Sequence, residues 1–153
     1  MVDEQAVSQA RFAAMNLLAR REHSAAELEQ KLAQREFAPA VIQAVIERLQ
    51  AQGLQSDERF VESFIRGRAY SGKGPLRLRE ELQHKGISQE LIAEGLTSFE
   101  GDWSAVLEQV WQKKFGQLPQ DQKEKAKQLR FLAYRGFAAA AIFSLFDRLA
   151  EQA

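Results

Sequence analysis

Cysteine is absent from the 153-residue sequence, and histidine occurs only twice, at His23 and His84. Without cysteine the chain can form no disulfide, no thiolate nucleophile and no cysteine-ligated zinc or iron–sulfur site. Two histidines far apart in the sequence make a zinc site of any other kind improbable. Long apolar runs are also missing, since no stretch approaches the roughly 18 residues of a membrane span. The first thirty residues contain charges throughout, unlike a secretory signal. We therefore expect a cytoplasmic protein without a membrane partner.

The usual signatures of an enzyme are missing as well. Gly72-Lys73-Gly74 is glycine-rich, but it lacks the Walker spacing and no strand pattern precedes it. Glu80 and Glu81 are neighbours on a predicted helix, so they point about 100° apart and cannot converge on one substrate. No nucleophile-elbow motif is present. The sequence therefore predicts a non-enzymatic protein with no catalytic, cofactor-binding or metal-binding residues.

Apolar residues recur at helical spacing along almost the whole chain, which predicts nine helices and no strand. The first helix is expected from about Glu4 to Arg21, with Phe12 among its buried residues. Ser24 and Glu27 form the capping-box pattern at the start of the second helix. Proline suits a first helical turn, and it predicts the starts of the third, fifth and eighth helices at Pro39, Pro75 and Pro119.

The sequence also superposes on itself after a shift of fifty residues. The aligned residues are mostly apolar: Leu32, Leu82 and Leu132; Ile42, Ile92 and Ile142; Phe37, Ile87 and Phe137. A period of this length is typical of stacked supersecondary units. We predict three tandem three-helix repeats, residues 1–54, 55–101 and 102–153, stacked as one continuous unit into an elongated, curved crescent. Two positions depart from the period, Gln128 where the other repeats have leucine and Glu36 where they have glycine.

Charge is distributed unevenly although the chain is formally neutral. The stretch Arg59–Gly86 contains seven Lys or Arg against three acids, which leaves a net charge of −4 on the rest of the chain. Such an asymmetry favours an anionic partner, although an ordinary solvated helix face is the alternative interpretation.

A second basic feature lies on the predicted eighth helix. Lys123, Lys127 and Arg130 occupy positions i, i+4 and i+7, and Tyr134 follows one turn later, so all four share one face. We expect both basic features to be exposed. The candidate partner-binding residues are their cations: Arg66, Arg68, Lys73, Arg77, Arg79, Lys85, Lys123, Lys127 and Arg130.

Several short motifs together resemble those of one known family. They are Ala19-Arg20-Arg21-Glu22-His23-Ser24 before Glu27-Leu28, Asp57-Glu58-Arg59-Phe60, Gly72-x-Gly74-Pro75-x-x-Leu78, and Glu81-Leu82-x-x-Lys85-Gly86-Ile87. In these motifs the chain resembles the RecX family, the bacterial regulators of the RecA recombinase. The resemblance extends over essentially the full length, and the chief departure is the weak third repeat with Gln128.

The resemblance implies three tandem three-helix repeats bent into a crescent, with no catalytic residue and no cofactor. It also implies a partner, the RecA filament on single-stranded DNA, and a monomeric inhibitor of filament growth, ATP hydrolysis, strand exchange and RecA co-protease activity. Recombination, DNA repair and the SOS response would be the processes affected.

Two other functions are compatible with the sequence. Three-helix units joined by tight turns resemble helix-turn-helix modules, so the chain could bind DNA directly. Its formal neutrality argues against DNA binding as the main activity, because dedicated binders are basic. A scaffold that uses apolar grooves between repeats is the third possibility. A salt titration would separate the first two functions, since direct DNA binding weakens steeply with ionic strength.

Overall fold

The computed structural model describes residues 2–153, which form nine α-helices and no strand. The all-helical prediction is therefore confirmed over this part of the chain. The helices are α1 (Glu4–Arg20), α2 (Ala25–Gln34), α3 (Pro39–Ala51), α4 (Asp57–Tyr70), α5 (Pro75–His84), α6 (Gln89–Thr97), α7 (Trp103–Lys114), α8 (Gln122–Tyr134) and α9 (Ala139–Gln152).

The fifty-residue period reflects one helix stop that occurs three times. Leu32, Leu82 and Leu132 are each 0% exposed. Each leucine carbonyl accepts a hydrogen bond from the amide five residues later, at 3.3, 3.2 and 3.2 Å. The residue before that amide is left-handed in every repeat, with φ of 69° at Glu36, 78° at Gly86 and 108° at Gly136. This is the Schellman arrangement, and it ends α2, α5 and α8 at equivalent positions.

Most predicted helix starts are confirmed by their caps. Ser24 and Glu27 make both bonds of the capping box at α2, and Pro39 and Pro75 are the first residues of α3 and α5. The prediction that Pro119 begins the eighth helix is wrong. The side chain of Asp121 accepts the amide of Glu124 at 2.8 Å, so the helix is capped there and begins at Gln122.

The expected burial of Phe12 is wrong, since this side chain is 70% exposed. Helix α1 instead buries Val7, Ala10, Ala14 and Leu17, which recur at intervals of three and four residues. Phe12 lies two residues, or about 200°, from Ala10, so it points away from this stripe. The core of the first unit therefore contains this stripe of α1 and not the ring of Phe12.

The chain divides into two compact units. The first comprises Met1–Ser63 with Leu82–Ile92, and its core contains buried residues of α1, α2 and α3. The second comprises Phe64–Glu81 with Ala93–Ala153, and its core contains buried residues of α7, α8 and α9. The repeat boundaries expected after residues 54 and 101 stay a prediction.

Gln128 shows how the third repeat accommodates its departure from the period. The side chain is buried at the position of Leu28 and Leu78. Its Oε1 accepts the indole N–H of Trp111 at 2.9 Å, and its Nε2 donates to the carbonyl of Gln117 at 3.0 Å. Because both ends of the amide have partners, its burial leaves no unsatisfied group.

If the period is structural, Leu→Ala at residues 32, 82 and 132 should have similar effects. Each variant should lose roughly 2–5 kcal/mol of unfolding free energy, because each removes a fully buried side chain from a helical core. Urea denaturation followed by far-ultraviolet circular dichroism measures the loss. Phe12→Ala is the exposed control and should change stability by less than about 0.5 kcal/mol. A loss that small at any one leucine would contradict the period.

Gly86→Ala and Gly53→Ala separate two costs of a side chain at a left-handed position. Both glycines have positive φ, so alanine should cost about 1 kcal/mol at either. At Gly86 the new Cβ would also overlap the Cβ of Ala26, whereas at Gly53 nothing lies within 4 Å. The melting temperature should therefore fall further for Gly86→Ala. Equal shifts would show that the Gly86–Ala26 contact relaxes freely.

Candidate partner-binding surface

Two turns of the second unit meet through their backbones. The α4–α5 turn contacts the α8–α9 turn where the amide of Gly74 donates to the carbonyl of Arg135 at 2.8 Å. The amide of Leu76 likewise donates to the carbonyl of Gly136 at 3.0 Å. We call this contact the glycine joint. It fixes the start of α5 against the end of α8.

The side chain of Arg135 strengthens the glycine joint. Its Nη2 donates to the carbonyl of Ser71 at 2.6 Å, and its Nε donates to the carbonyl of Gly72 at 3.2 Å. These carbonyls follow the last turn of α4, where the helix itself supplies no donors. Arg135 therefore ties the end of α4 to the same point.

Only glycine suits the two positions at the centre of the joint. A Cβ on Gly74 would lie 2.5 Å from the carbonyl oxygen of Gly136, and a Cβ on Gly136 would lie 2.5 Å from the Cβ of Arg77. The glycine-rich motif of residues 72–74 is thus a packing contact between turns.

The glycine joint brings the two basic features of the sequence together. The guanidinium of Arg77, on α5, lies 5.0 Å from the ring centroid of Tyr134, at the end of α8. Its Nη1 also donates to the carbonyl of Tyr134 at 3.2 Å. The central basic stretch and the basic row of α8 therefore adjoin one another in the second unit, a contact that their sequence separation did not indicate.

The basic row on α8 has the predicted exposure. Lys123, Lys127 and Arg130 are all exposed, and the helical rise spaces them over about 10 Å along the axis. Arg66 and Arg79 of the central stretch are exposed too. The expectation of exposure is thus confirmed for these five candidates.

Other cations of the central stretch are paired with carboxylates or rings. Lys73 is only 18% exposed, and its Nζ lies 3.7 Å from Oε1 of Glu81, so the expected exposure is wrong there. Arg68 is partly buried, with Nε 4.0 Å from the other oxygen of Glu81 and its guanidinium over the ring of Phe64. Arg77 is partly buried beside Tyr134. Sequence spacing alone did not reveal that Glu81 faces two of these cations.

Lys85 belongs to a structural cluster in the first unit. Its Nζ lies 3.0 Å from Oε2 of Glu27, and its backbone carbonyl accepts the hydroxyl of Ser24 at 2.9 Å. Arg21 donates two further hydrogen bonds to the same carboxylate. We call Arg21, Ser24, Glu27 and Lys85 the Glu27 cluster. Within it the charge of Lys85 stabilises the fold.

The ionisation of Glu27 follows from its neighbours. Burial alone would raise its pKa, but hydrogen bonds from Arg21, Lys85 and the amide of Ser24 outweigh that effect and lower the pKa to about 2. The carboxylate is therefore ionised throughout the physiological range. The charged carboxylate is the hydrogen-bond acceptor for Arg21, for Lys85 and for the amide of Ser24.

Two exposed tyrosines belong to the surface, and the sequence analysis named only one of them. Tyr70 is 96% exposed and Tyr134 is 72% exposed. They are the two tyrosines of the chain, and each is the last residue of a helix, α4 and α8 respectively. Tyr134 was recognised as the continuation of the basic row, whereas Tyr70 was missed. Its place two residues before the glycine-rich motif was the available signal.

Neither a membrane span nor a metal cluster is found within residues 2–153. No helix there has the length and apolar character needed to cross a bilayer. No three His, Cys, Asp or Glu side chains in that range lie close enough to hold a metal ion. His23 is buried, with Nδ1 3.0 Å from the carbonyl of Arg21 and Nε2 3.3 Å from Nζ of Lys31. Burial lowers the pKa of His23.

Comparison with known proteins identifies the family. The models of the first, second and third three-helix domains of RecX match residues 10–49, 56–96 and 100–146. The chain belongs to the RecX family. The predicted organisation as three tandem three-helix domains is thereby confirmed. It follows the order α1–α3, α4–α6 and α7–α9 along the chain.

Curated relatives and solved structures agree with this assignment. The chain is 50% identical over 138 residues to the regulatory protein RecX of Pseudomonas entomophila, covering 90% of this chain and 89% of the relative. It is 48% identical over the same length to the regulatory protein RecX of Pseudomonas fluorescens Pf-5, with the same coverage. The crystal structure of RecX from Lactobacillus salivarius superposes with a TM-score of 0.80, at 21% identity, covering 97% of this chain and 99% of that one. This structural likeness supports the fold.

Replacing Glu27 by glutamine should weaken the fold in a pH-dependent way. A carboxylate whose folded pKa is lowered contributes stability that is present above its unfolded pKa, near 4.5, and lost as pH falls towards about 2. At pH 7, Glu27→Gln should therefore lose roughly 1–3 kcal/mol, because Arg21 and Lys85 lose a charged acceptor. The difference from wild type should shrink between pH 4.5 and 2.

Glu29→Gln is the matched control, because Glu29 is an exposed glutamate on the same helix. Urea denaturation of the three proteins at several pH values measures the effect. A Glu27→Gln deficit that stays constant down to pH 2 would show that the ionised carboxylate is not what stabilises the Glu27 cluster.

Proposed function

We propose that this chain is a non-enzymatic regulator that binds the RecA filament on single-stranded DNA and inhibits RecA activities. Those activities are filament growth, ATP hydrolysis, strand exchange and co-protease cleavage, so recombination, DNA repair and the SOS response would be affected. The protein would act in the cytoplasm as a monomer and without a cofactor.

Family membership over all three domains is the observation that supports this proposal most directly. Relatives with about half of their residues identical, and nearly the same length, are named regulatory proteins. The motifs of the central repeat resemble those of RecA regulators in particular. A regulator that acts by binding needs a surface that a partner can reach, rather than a catalytic centre.

Exposed cations in the second unit support a surface of this kind. Exposed cations on α8 can meet DNA phosphates or acidic RecA side chains, both of which are available on a nucleoprotein filament. Charges at the rim of an interface act mainly through association rate and salt dependence. Bound protein would then hinder filament growth and ATP turnover by occupying space that neighbouring RecA subunits need.

The candidate residues differ in their exposure and in their contacts within the fold. Arg79, Lys123, Lys127 and Arg130 are exposed and are the first candidates. Arg66 is exposed as well, but it has an interaction partner of its own and stays a candidate on exposure alone. Arg68, Lys73, Arg77 and Lys85 have structural partners, so changing them would disturb the fold as well as binding. They stay candidates, but a clean test avoids them.

Charge reversal on α8 should impair inhibition while leaving the fold intact. Lys127→Glu with Arg130→Glu changes two exposed positions, so the melting temperature should move little. The concentration for half-inhibition of RecA ATP hydrolysis on single-stranded DNA should rise about tenfold at low salt. At high salt the difference from wild type should shrink, because screening weakens charge attraction in both proteins.

Arg35→Glu with Lys113→Glu is the control, because it makes the same change in net charge at exposed positions outside the proposed surface. The control should inhibit nearly as well as wild type. Equal loss in both double variants would mean that net charge, not this surface, determines binding. Full inhibition by the α8 variant at low salt would remove the basic row from the interface. An inactive wild-type chain that binds DNA strongly on its own would favour the direct DNA-binding alternative.

A further inference from the structure

The two tyrosines of the chain each directly precede one of the two turns that meet at the glycine joint. Tyr70 directly precedes Ser71, whose carbonyl accepts Nη2 of Arg135 at 2.6 Å, and Tyr134 directly precedes Arg135 itself. Both rings are exposed, at 96% and 72%. Neither ring belongs to the core of its unit. Core packing therefore does not explain why both tyrosines occur next to the same contact.

Tyr134 is held in place although it is exposed. Arg77 lies over its ring at 5.0 Å and donates to its backbone carbonyl at 3.2 Å. The backbone bonds of the glycine joint fix the carbonyl of the next residue, Arg135. A ring that is already ordered loses little conformational freedom when a second flat group stacks on it.

Cations continue from Tyr134 along one face of α8. Arg130 precedes the tyrosine by four residues and Lys127 precedes it by seven, so all three side chains share that face. Helix α8 contains four cations against one acid. The second unit thus presents two exposed aromatic rings. One of them, Tyr134, is ordered by Arg77 and lies next to a row of positive charges.

We propose that Tyr70, Tyr134, Lys127 and Arg130 form a binding site for single-stranded nucleic acid. Bases would stack on the two rings, and backbone phosphates would meet the cations of α8. Exposed aromatics beside a basic track are the means by which proteins bind single strands without sequence preference. An acidic protein partner would need only the cations, and the bases of a duplex are already stacked on each other.

This inference deepens the proposed function and rests on it for its setting, a filament that contains single-stranded DNA. Binding of a bare strand can nevertheless be measured without RecA. The full chain is titrated into a fluorescent oligothymidylate of twenty nucleotides at 50 mM salt, and anisotropy is recorded. An abasic oligomer of the same length provides the phosphates without the bases.

The tyrosine variants distinguish stacking from charge. Tyr70→Ala with Tyr134→Ala should weaken oligothymidylate binding about tenfold or more, since each base–ring contact is lost. The same double variant should bind the abasic oligomer as well as wild type does. Tyr70→Phe with Tyr134→Phe keeps both rings and should restore binding. Lys127→Ala with Arg130→Ala should weaken binding of both oligomers and flatten the salt dependence.

The results separate this site from the proposed function. Oligothymidylate binding that is absent, or unchanged in the alanine double variant, overturns the site even if the chain still inhibits RecA. Normal, tyrosine-dependent strand binding by a chain that fails to inhibit RecA supports the site and overturns the proposed function. Loss of RecA inhibition in the tyrosine variants without any strand binding would assign the surface to a protein contact, which also overturns the site.

Discussion

The left-handed helix stop that ends the second helix of each repeat is the constraint on which the rest of the structure depends. One backbone hydrogen bond to Leu32, Leu82 or Leu132 sets where the helix ends, and the same leucine is fully buried. The stop also reverses the chain direction, which leaves the carbonyl of the preceding residue, Lys85 or Arg135, available to a neighbouring turn. Core packing and contact between turns are thus fixed by one local conformation.

The carbonyl that precedes the left-handed residue accepts a hydrogen bond in both units, but from a different kind of donor in each. In the first unit the carbonyl of Lys85 accepts the hydroxyl of Ser24, and in the second the carbonyl of Arg135 accepts the amide of Gly74. The two donor residues, Ser24 and Gly74, are fifty residues apart in the sequence, and so are the two acceptor residues, Lys85 and Arg135. A side-chain hydroxyl allows a capping box at the first contact, where the carboxylate of Glu27 is partly buried. A backbone amide requires the closer approach that glycine permits at the second.

Sequence patterns predicted features determined by neighbours along the chain and missed those determined by the tertiary fold. The capping box at Ser24, the helix starts at Pro39 and Pro75 and the repeated helix stop all depend on local contacts, so residue spacing predicted them, whereas the start expected at Pro119 was displaced by the cap at Asp121. Phe12 was misassigned because the buried stripe of α1 includes three alanines, whose hydrophobic signal is weak beside that of a phenylalanine. The pairing of Lys73 with Glu81 and of Lys85 with Glu27 depends on side-chain geometry that spacing does not define. The position of Tyr70 next to the glycine joint depends on the contact between Arg135 and Ser71, which the sequence does not indicate.

The placement of the aromatic residues has an optical consequence. Both tryptophans, Trp103 and Trp111, belong to α7, and both tyrosines also lie in the second unit. The indole of Trp111 is buried and donates to Gln128, so its emission should respond to the packing of α7 against α8. The first unit contains neither chromophore and is silent in intrinsic fluorescence and in absorbance at 280 nm. Circular dichroism detects the helices of both units, so the two signals together can resolve whether the units unfold in one step or in two.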